Sequence, residues 1–187
     1  GATVIDAPDD DFERAIQMRD EFISSNAHAW SPMQFSNPLN VTCHEKTTGP
    51  EVLNGALLVG NKMEAFVHGA GTGGTIEGVR RYLKKHSRDT KVRMVKPSES
   101  PHGVQGIADG KDFLAQPEDM DGILEVQTEA AIIRAKRLAK ENGLLVGISS
   151  GANVLAAERW IEENDPEGIV ITMLCDRGER YMSIYGS

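Results

Sequence analysis

His68-Gly69-Ala70-Gly71-Thr72-Gly73-Gly74-Thr75 stands between an apolar run, Glu64-Ala65-Phe66-Val67, and a helical pattern over residues 76–85. Four glycines and two threonines at a strand-to-helix junction leave peptide N–H groups uncovered by side chains. The turn is concave and faces the positive end of the following helix, the setting in which proteins seat phosphate. A glycine-rich turn also serves simply to let chain and sheet pack closely. No Gly-Lys-Ser/Thr closes the stretch, which separates it from the nucleoside-triphosphate loop. Nor is it read as the dinucleotide fingerprint, Gly-x-Gly-x-x-Gly followed by an acidic residue about 20 positions on. The reading favours a phosphate carried by some other cofactor.

Outward from this turn, strands and helices alternate. Thr3-Val4-Ile5 reads as a strand and residues 6–11 as a polar turn feeding acidic residues to a helix start. Residues 10–24 read as an amphipathic helix, with Phe12, Ala15, Ile16, Arg19, Phe22 and Ile23 at helical spacing. Ser36-Asn37-Pro38-Leu39-Asn40 is turn chemistry and divides the chain into a lobe of residues 1–38 and a larger domain of residues 39–187. Beyond it, Pro50 fits a helix's first turn after Thr47-Thr48-Gly49. Residues 65–68, 91–95, 123–126, 144–148 and 169–174 read as strands and residues 98–117 as loop. Residues 129–142 read as a helix stopped by Gly143, and residues 152–163 as another. Continuous apolar strands alternating with helices predict an α/β fold, a parallel sheet covered on both faces. Ligands gather beyond the carboxyl ends of such strands. Three turns are expected there: the glycine loop, Ser149-Ser150-Gly151 and Cys175-Asp176-Arg177-Gly178.

Composition narrows the function. The 187 residues carry a net charge of −8 and are 5% aromatic, which argues against a nucleic-acid surface or a base-stacking platform. No apolar run has the length of a membrane span and no signal peptide opens the chain, so the expectation is a cytoplasmic protein without a membrane partner. Cys43 and Cys175 lack disulfide-framework or zinc spacing and are expected to be packed, reduced thiols. His28, His44, His68, His86 and His102 show no ligand spacing, so no metal site is expected, and Asp9-Asp10-Asp11 reads as a helix-start feature. The opening Gly-Ala-Thr-Val-Ile has no preceding Met and lies inside a strand pattern, which is read as part of a longer polypeptide. Ser149 and Ser150 read either as caps of the following helix or, from their place in the sheet, as contacts to the ligand of the glycine loop.

Several motifs in order resemble one family. They are Gln34-Phe35-x-Asn37-Pro38, Thr47-Thr48-Gly49-Pro50-Glu51, Gly71-Thr72-Gly73-Gly74-Thr75 with Ile76-x-Gly78-Val79, Gln105-Gly106-Ile107, Gly147-Ile148-Ser149-Ser150-Gly151-Ala152 and Gly178-Glu179-Arg180-Tyr181-Met182-Ser183. The set resembles cysteine synthase, a pyridoxal-phosphate enzyme of fold type II and a relative of cystathionine β-synthase. The resemblance implies the tryptophan synthase β-like three-layer architecture, with residues 1–38 a remnant of the smaller lobe. It implies that Gly71, Thr72, Gly73, Gly74 and Thr75 hold the phosphate of pyridoxal 5′-phosphate and that Ser149 meets the pyridine nitrogen. Gln34 matches a glutamine near the substrate carboxylate, and Gln105, Gly106 and Ile107 match the rim of the site.

The implied reaction is β-replacement on O-acetylserine or a similar activated serine by sulfide or a related sulfur donor, through an aminoacrylate, in a homodimer. A neutral hydroxyl at Ser149 leaves the ring nitrogen largely unprotonated, which favours β-elimination over transamination. Cys175-Asp176-Arg177-Gly178 is closer to the B-type isozyme, whereas Pro101-His102-x-Val104-Gln105-Gly106-Ile107 looks A-type. Two features depart from the family. Its Schiff-base lysine, in a Ser-x-Lys-Asp-Arg setting, and its Ser-Gly-Asn-Thr-Gly loop have no counterpart here, since Lys46, Lys62, Lys84, Lys85, Lys91, Lys96, Lys111, Lys136 and Lys140 stand in other settings. The segment between Ser100 and Pro101 is short, and Ala108-Asp109-Gly110 replaces a more usual Gly-Ala-Gly or Gly-Asp-Gly. An inactive relative with a binding role and a cystathionine β-synthase activity are the competing readings.

Overall fold

The computed structural model describes residues 1–8, 11–60, 62–107 and 114–186, and these fall into two compact units, residues 1–33 and 34–187. Asp9, Asp10 and the Ala108-Asp109-Gly110 replacement lie outside the described residues. In the first unit α1 (Phe12–Ser25) covers most of the helix predicted over residues 10–24, with the Asp11 carboxylate accepting from the Arg14 N–H at 2.8 Å. Thr3, Val4 and Ile5 correct the expectation of a strand: they are exposed and pair with no strand among the described residues. Apolar alternation alone does not make a strand when no neighbour takes up its peptide groups.

The second unit is built on a four-stranded parallel sheet: β1 (Met63–Gly69), β2 (Lys91–Pro97), β3 (Ile123–Val126) and β4 (Ile169–Thr172), in the order β3-β2-β1-β4. Phe66 of β1 faces Val92 on one side and Ile171 on the other, while Val95 faces Leu124. β1 is the most deeply covered strand, because its alternate side chains enter opposite cores. Ala65 and Val67 join Val95, Val126 and Ile148 under α5 (Thr128–Asn142) and α6 (Ile148–Asn164). Met63 and Phe66 join Val92, Met94, Ile76 and Leu83 under α3 (Thr48–Val59) and α4 (Gly74–His86). A register irregularity between Met63 and Ala65 lets Met63 share the face of Phe66. Helices on both faces of a parallel sheet give the α/β class and three layers that the sequence predicts.

Three expectations are corrected. Residues 36–40 do not form a free turn: Asn37 caps α2 (Pro38–Lys46), its side chain accepting from the Leu39 N–H at 3.0 Å, and Pro38 takes the first helical position, where a missing N–H costs nothing. Residues 144–148 do not form a sheet strand. Val146 makes a single antiparallel bridge to Arg177, and the helix starts at Ile148. Ser149, Ser150 and Gly151 are consequently the first turn of α6 rather than a loop before it. Residues 98–107 and 114–116 of the predicted loop carry no helix or strand, and the helix stop at Gly143, with φ of 69°, agrees with the sequence reading.

On α4, Glu77 is almost wholly buried and holds two arginines, Arg80 Nε at 2.6 Å and Arg81 Nε at 2.7 Å. Burial pushes the Glu77 carboxyl up, but the hydrogen bonds and charges of Arg80 and Arg81 outweigh it and leave the pKa below the usual value. A carboxyl lowered on folding adds stability that is present above the unfolded-state pKa and lost as pH falls through the folded one. Glu77→Gln is therefore expected to lower stability by about 1–3 kcal/mol at pH 7. It should also flatten the loss on the acid side, as read from urea unfolding midpoints at pH 7 and pH 4.

Candidate functional site

The carboxyl end of β1 runs through Gly69 into the glycine loop, and the loop ends at Gly73, the N-cap of α4, with φ of 85°. The first helical bond of α4 is Glu77 N–H to Gly73 C=O at 3.1 Å, so Thr75 and Ile76 have no carbonyl one turn earlier to receive their N–H groups. Gly74 N–H donates to Thr72 Oγ1 at 3.2 Å. Glycine is required at two points by close approach. A Cβ on Gly71 would lie 2.7 Å from the Gly106 carbonyl oxygen, and one on Gly73 would lie 2.5 Å from Ala115 N in a backbone region that side chains avoid. The loop is braced from outside by α2. Asn40 Nδ2 donates to Thr72 Oγ1 at 3.1 Å and to the Gln34 carbonyl at 3.0 Å, and His44 Nε2 lies 3.2 Å from Thr75 Oγ1.

The opposing wall is the start of α6. Gly147 N–H donates to Asp176 C=O at 3.0 Å and Gly178 N–H to Leu145 C=O at 3.1 Å, so the turn after β4 is sewn to the segment entering α6. Neither serine caps its helix, because Gly147 is the N-cap. Ser150 Oγ instead accepts from Cys175 N–H at 2.9 Å, and Ser149 and Cys175 line the same cavity. Cys43 and Cys175 are both exposed residues, not the packed ones expected. The Cys175 sulfur nonetheless faces the cavity, where burial first and the charge of Asp176 next raise its thiol pKa.

One fully buried side chain joins the two walls. Asn153 of α6 accepts from Gly69 N–H at 2.8 Å through Oδ1, and only an oxygen can take that bond. The amide orientation is thereby fixed, with Nδ2 donating to Met173 C=O at 3.0 Å and to His68 Nδ1 at 3.2 Å; the Cys175 sulfur, at 3.5 Å, is the weaker third acceptor. His68 must then accept at Nδ1 and carry its proton on Nε2. It is 7% exposed, and burial, reinforced by the charge of His44, pushes its pKa down to about 4.

These walls enclose a cavity of about 220 Å³ at the carboxyl end of the sheet. Of the residues the sequence singles out, Gly71, Thr72, Gly73, Thr75, Gly106, Ile107 and Ser149 line it. Gly74 lies behind the lining, against Asn40. Gln34 and Gln105 are exposed and outside the lining. Gly106, with φ of 91°, bridges the walls: its carbonyl meets Gly71 and its α-carbon faces Ser149. His68 and Asn153 were not singled out. The available signal was a histidine next to the end of an otherwise apolar strand. Among the described residues no three His, Cys, Asp or Glu side chains gather to hold a metal ion, and no helix is long and apolar enough to cross a membrane.

A parallel α/β domain with bare peptide N–H groups at a helix start, facing a second helix start across one cavity, defines a class of anion-binding enzyme domains. More narrowly, the chain belongs to the family of pyridoxal-phosphate dependent enzymes, whose model matches residues 1–176. It is 39% identical over 166 residues to a cysteine synthase of Staphylococcus aureus, covering 82% of this chain and 52% of that protein. It is 38% identical over 191 residues to cysteine synthase A of Escherichia coli, covering 90% and 58%. Among solved structures, an O-acetylserine dependent cystathionine beta-synthase from Helicobacter pylori superposes with a TM-score of 0.88 at 33% identity, covering 98% of this chain and 62% of that one. The chain thus spans between half and two thirds of the length of these relatives.

A histidine whose pKa is lowered on folding adds stability that is complete above its unfolded-state value of 6.5 and is lost as pH falls toward the folded value of about 4. Over that window the His68 contribution amounts to up to about 3 kcal/mol. Thermal unfolding midpoints measured between pH 7 and pH 4 are expected to fall more steeply for the wild type than for His68→Gln.

Proposed function

We propose that this chain provides the cofactor-holding part of a cysteine synthase-like β-replacement enzyme, in which a sulfur nucleophile replaces the leaving group of O-acetylserine or a similar activated serine. The observation that carries the reading is the shared cavity: the glycine cradle and the Ser149 hydroxyl line the same hollow. The residues fit pyridoxal 5′-phosphate, because Gly71 and Gly73 sit where a Cβ would strike neighbouring backbone, and Thr75 and Ile76 direct N–H groups out of a helix start. When bound, pyridoxal phosphate supplies an electron sink for the charge that develops at the substrate α-carbon.

The chain's own residues then divide the work. Gly71, Thr72, Gly73, Gly74 and Thr75 grip the phosphate, with Asn40 and His44 holding the two threonine hydroxyls in place. Ser149 offers the ring nitrogen a neutral hydroxyl, and a group that does not carry charge leaves that nitrogen unprotonated. Gln34, joined to the loop through Asn40, and the Gln105-Gly106-Ile107 segment serve the amino-acid substrate. In this reading residues 1–38 belong to a smaller lobe and residues 39–187 to the large domain of a cytoplasmic homodimer. The Schiff-base lysine is not assigned to any of these 187 residues.

A second reading keeps the site and changes the nucleophile to homocysteine, and the likeness to an O-acetylserine dependent cystathionine beta-synthase favours it. In the test, pyridoxal phosphate is titrated into the protein and followed by its visible absorbance. Saturable binding of one equivalent is expected, displaced by inorganic phosphate and weakened at least about tenfold by Gly73→Ala. Binding insensitive to both phosphate and Gly73→Ala would overturn the reading. Product analysis with O-acetylserine and either sulfide or homocysteine separates the two nucleophiles.

A further inference from the structure

The phosphate cradle of the proposed function accounts for the glycine loop but leaves His68 without a role. This side chain lines the same cavity as Gly71, Thr72, Gly73 and Thr75, and it is nine-tenths buried. Its ring lies on the α4 side of the sheet, 5.7 Å from the ring of Phe66, whose neighbours are the residues of α4. His44, which is bonded to Thr75 at the first turn of α4, is near enough for its charge to act on His68. The imidazole therefore belongs to the neighbourhood of the α4 N-terminus. Asn153 occupies Nδ1 and fixes the tautomer, so the polar atom left for the cavity is an Nε2 that carries a hydrogen.

An imidazole N–H that opens into the cavity takes its acceptor from whatever occupies it, and an anionic oxygen is the strongest acceptor available. We propose that His68 is a further phosphate-binding residue, donating its Nε2–H to an oxygen of the bound phosphate alongside the peptide N–H groups of the glycine loop. The assignment rests on the pyridoxal-phosphate reading above and adds to it a neutral side-chain donor. Asn153 is the positioning residue: it touches no ligand in this scheme but sets which nitrogen of His68 bears the hydrogen. A packing role alone would need only the contact at Nδ1 and would be indifferent to the phosphate.

Binding of pyridoxal phosphate, of inorganic phosphate and of pyridoxal, which lacks the phosphate, is to be measured for the wild type, His68→Ala and His68→Gln. His68→Ala is expected to weaken both phosphate-bearing probes about tenfold and to leave pyridoxal unchanged. His68→Gln, which can place an N–H near the position of Nε2, should recover most of the loss. In the wild type, imidazole nitrogen NMR should show His68 protonated at Nε2 and that resonance moving on addition of inorganic phosphate. The last measurement needs no variant to fold.

Equal phosphate affinity in the wild type and His68→Ala would overturn the proposal, as would an equal loss for pyridoxal or a hydrogen found on Nδ1. If the wild type binds pyridoxal phosphate and inorganic phosphate but the Nε2 resonance stays still, the role of His68 falls and the cofactor reading stands. If the wild type binds neither, both fall.

Discussion

Everything at the carboxyl end of the sheet depends on the carboxamide of Asn153. It is wholly buried, it comes from a helix on one face, and its polar atoms reach the peptide of Gly69, the ring of His68 and the carbonyl of Met173. β1 and β4 are adjacent parallel strands, and parallel neighbours diverge into separate loops as soon as their ladder ends. Without a cross-link the glycine loop and the turn after β4 would be free to drift apart. One amide, oriented by the single bond that only its oxygen can accept, holds the exits of two strands and the start of a helix together. In a buried setting such bonds are costly to leave unmade, so the arrangement is close to all-or-none.

The layers were legible in the sequence because they rest on periodicity. Residues 65–68, 91–95 and 123–126 are short stretches dominated by apolar and β-branched side chains, and each lies within a strand of the sheet. The helices at 76–85 and 129–142 carry a single apolar stripe and were placed within a residue or two of their ends. The errors occurred where one pattern supports two structures. Leu144-Leu145-Val146-Gly147-Ile148 is apolar enough for a strand, but its peptide groups find partners at only one bridge, and Ile148 turns inward as the first residue of a helix. Asn37-Pro38 is both a turn signal and a helix start, and the helix prevails because Asn37 caps it.

The site was partly legible for a related reason. Glycines announce themselves, since few other features demand a backbone without a side chain, and the loop at residues 71–75 was found that way. Ser149 is legible by resemblance and by its place in the chain, and of the two readings the sequence leaves open for it, helix cap or ligand contact, the cap is excluded because Gly147 takes that position. His68 and Asn153 were not found at all. They are 85 residues apart, and each alone is an unremarkable polar residue in a regular element. Only their contact, across two layers of the fold, reveals that one decides the protonation of the other.

The anion seat is made of main-chain N–H groups, and this has a consequence for how the protein answers its surroundings. Peptide amides do not ionise over the range in which proteins fold, so the donors of the loop stay the same from mildly acidic to mildly alkaline water, while a phosphate held by them, with a second pKa of about 6, changes its charge within it. On the protein side, the response to acidity in this neighbourhood comes from the imidazoles of His44 and His68 beside the loop. The peptide cradle and the ionisable imidazoles beside it are thus separate sets of atoms, and a lineage can retune the response to acidity at His44 or His68 while the main-chain donors of the loop stay as they are.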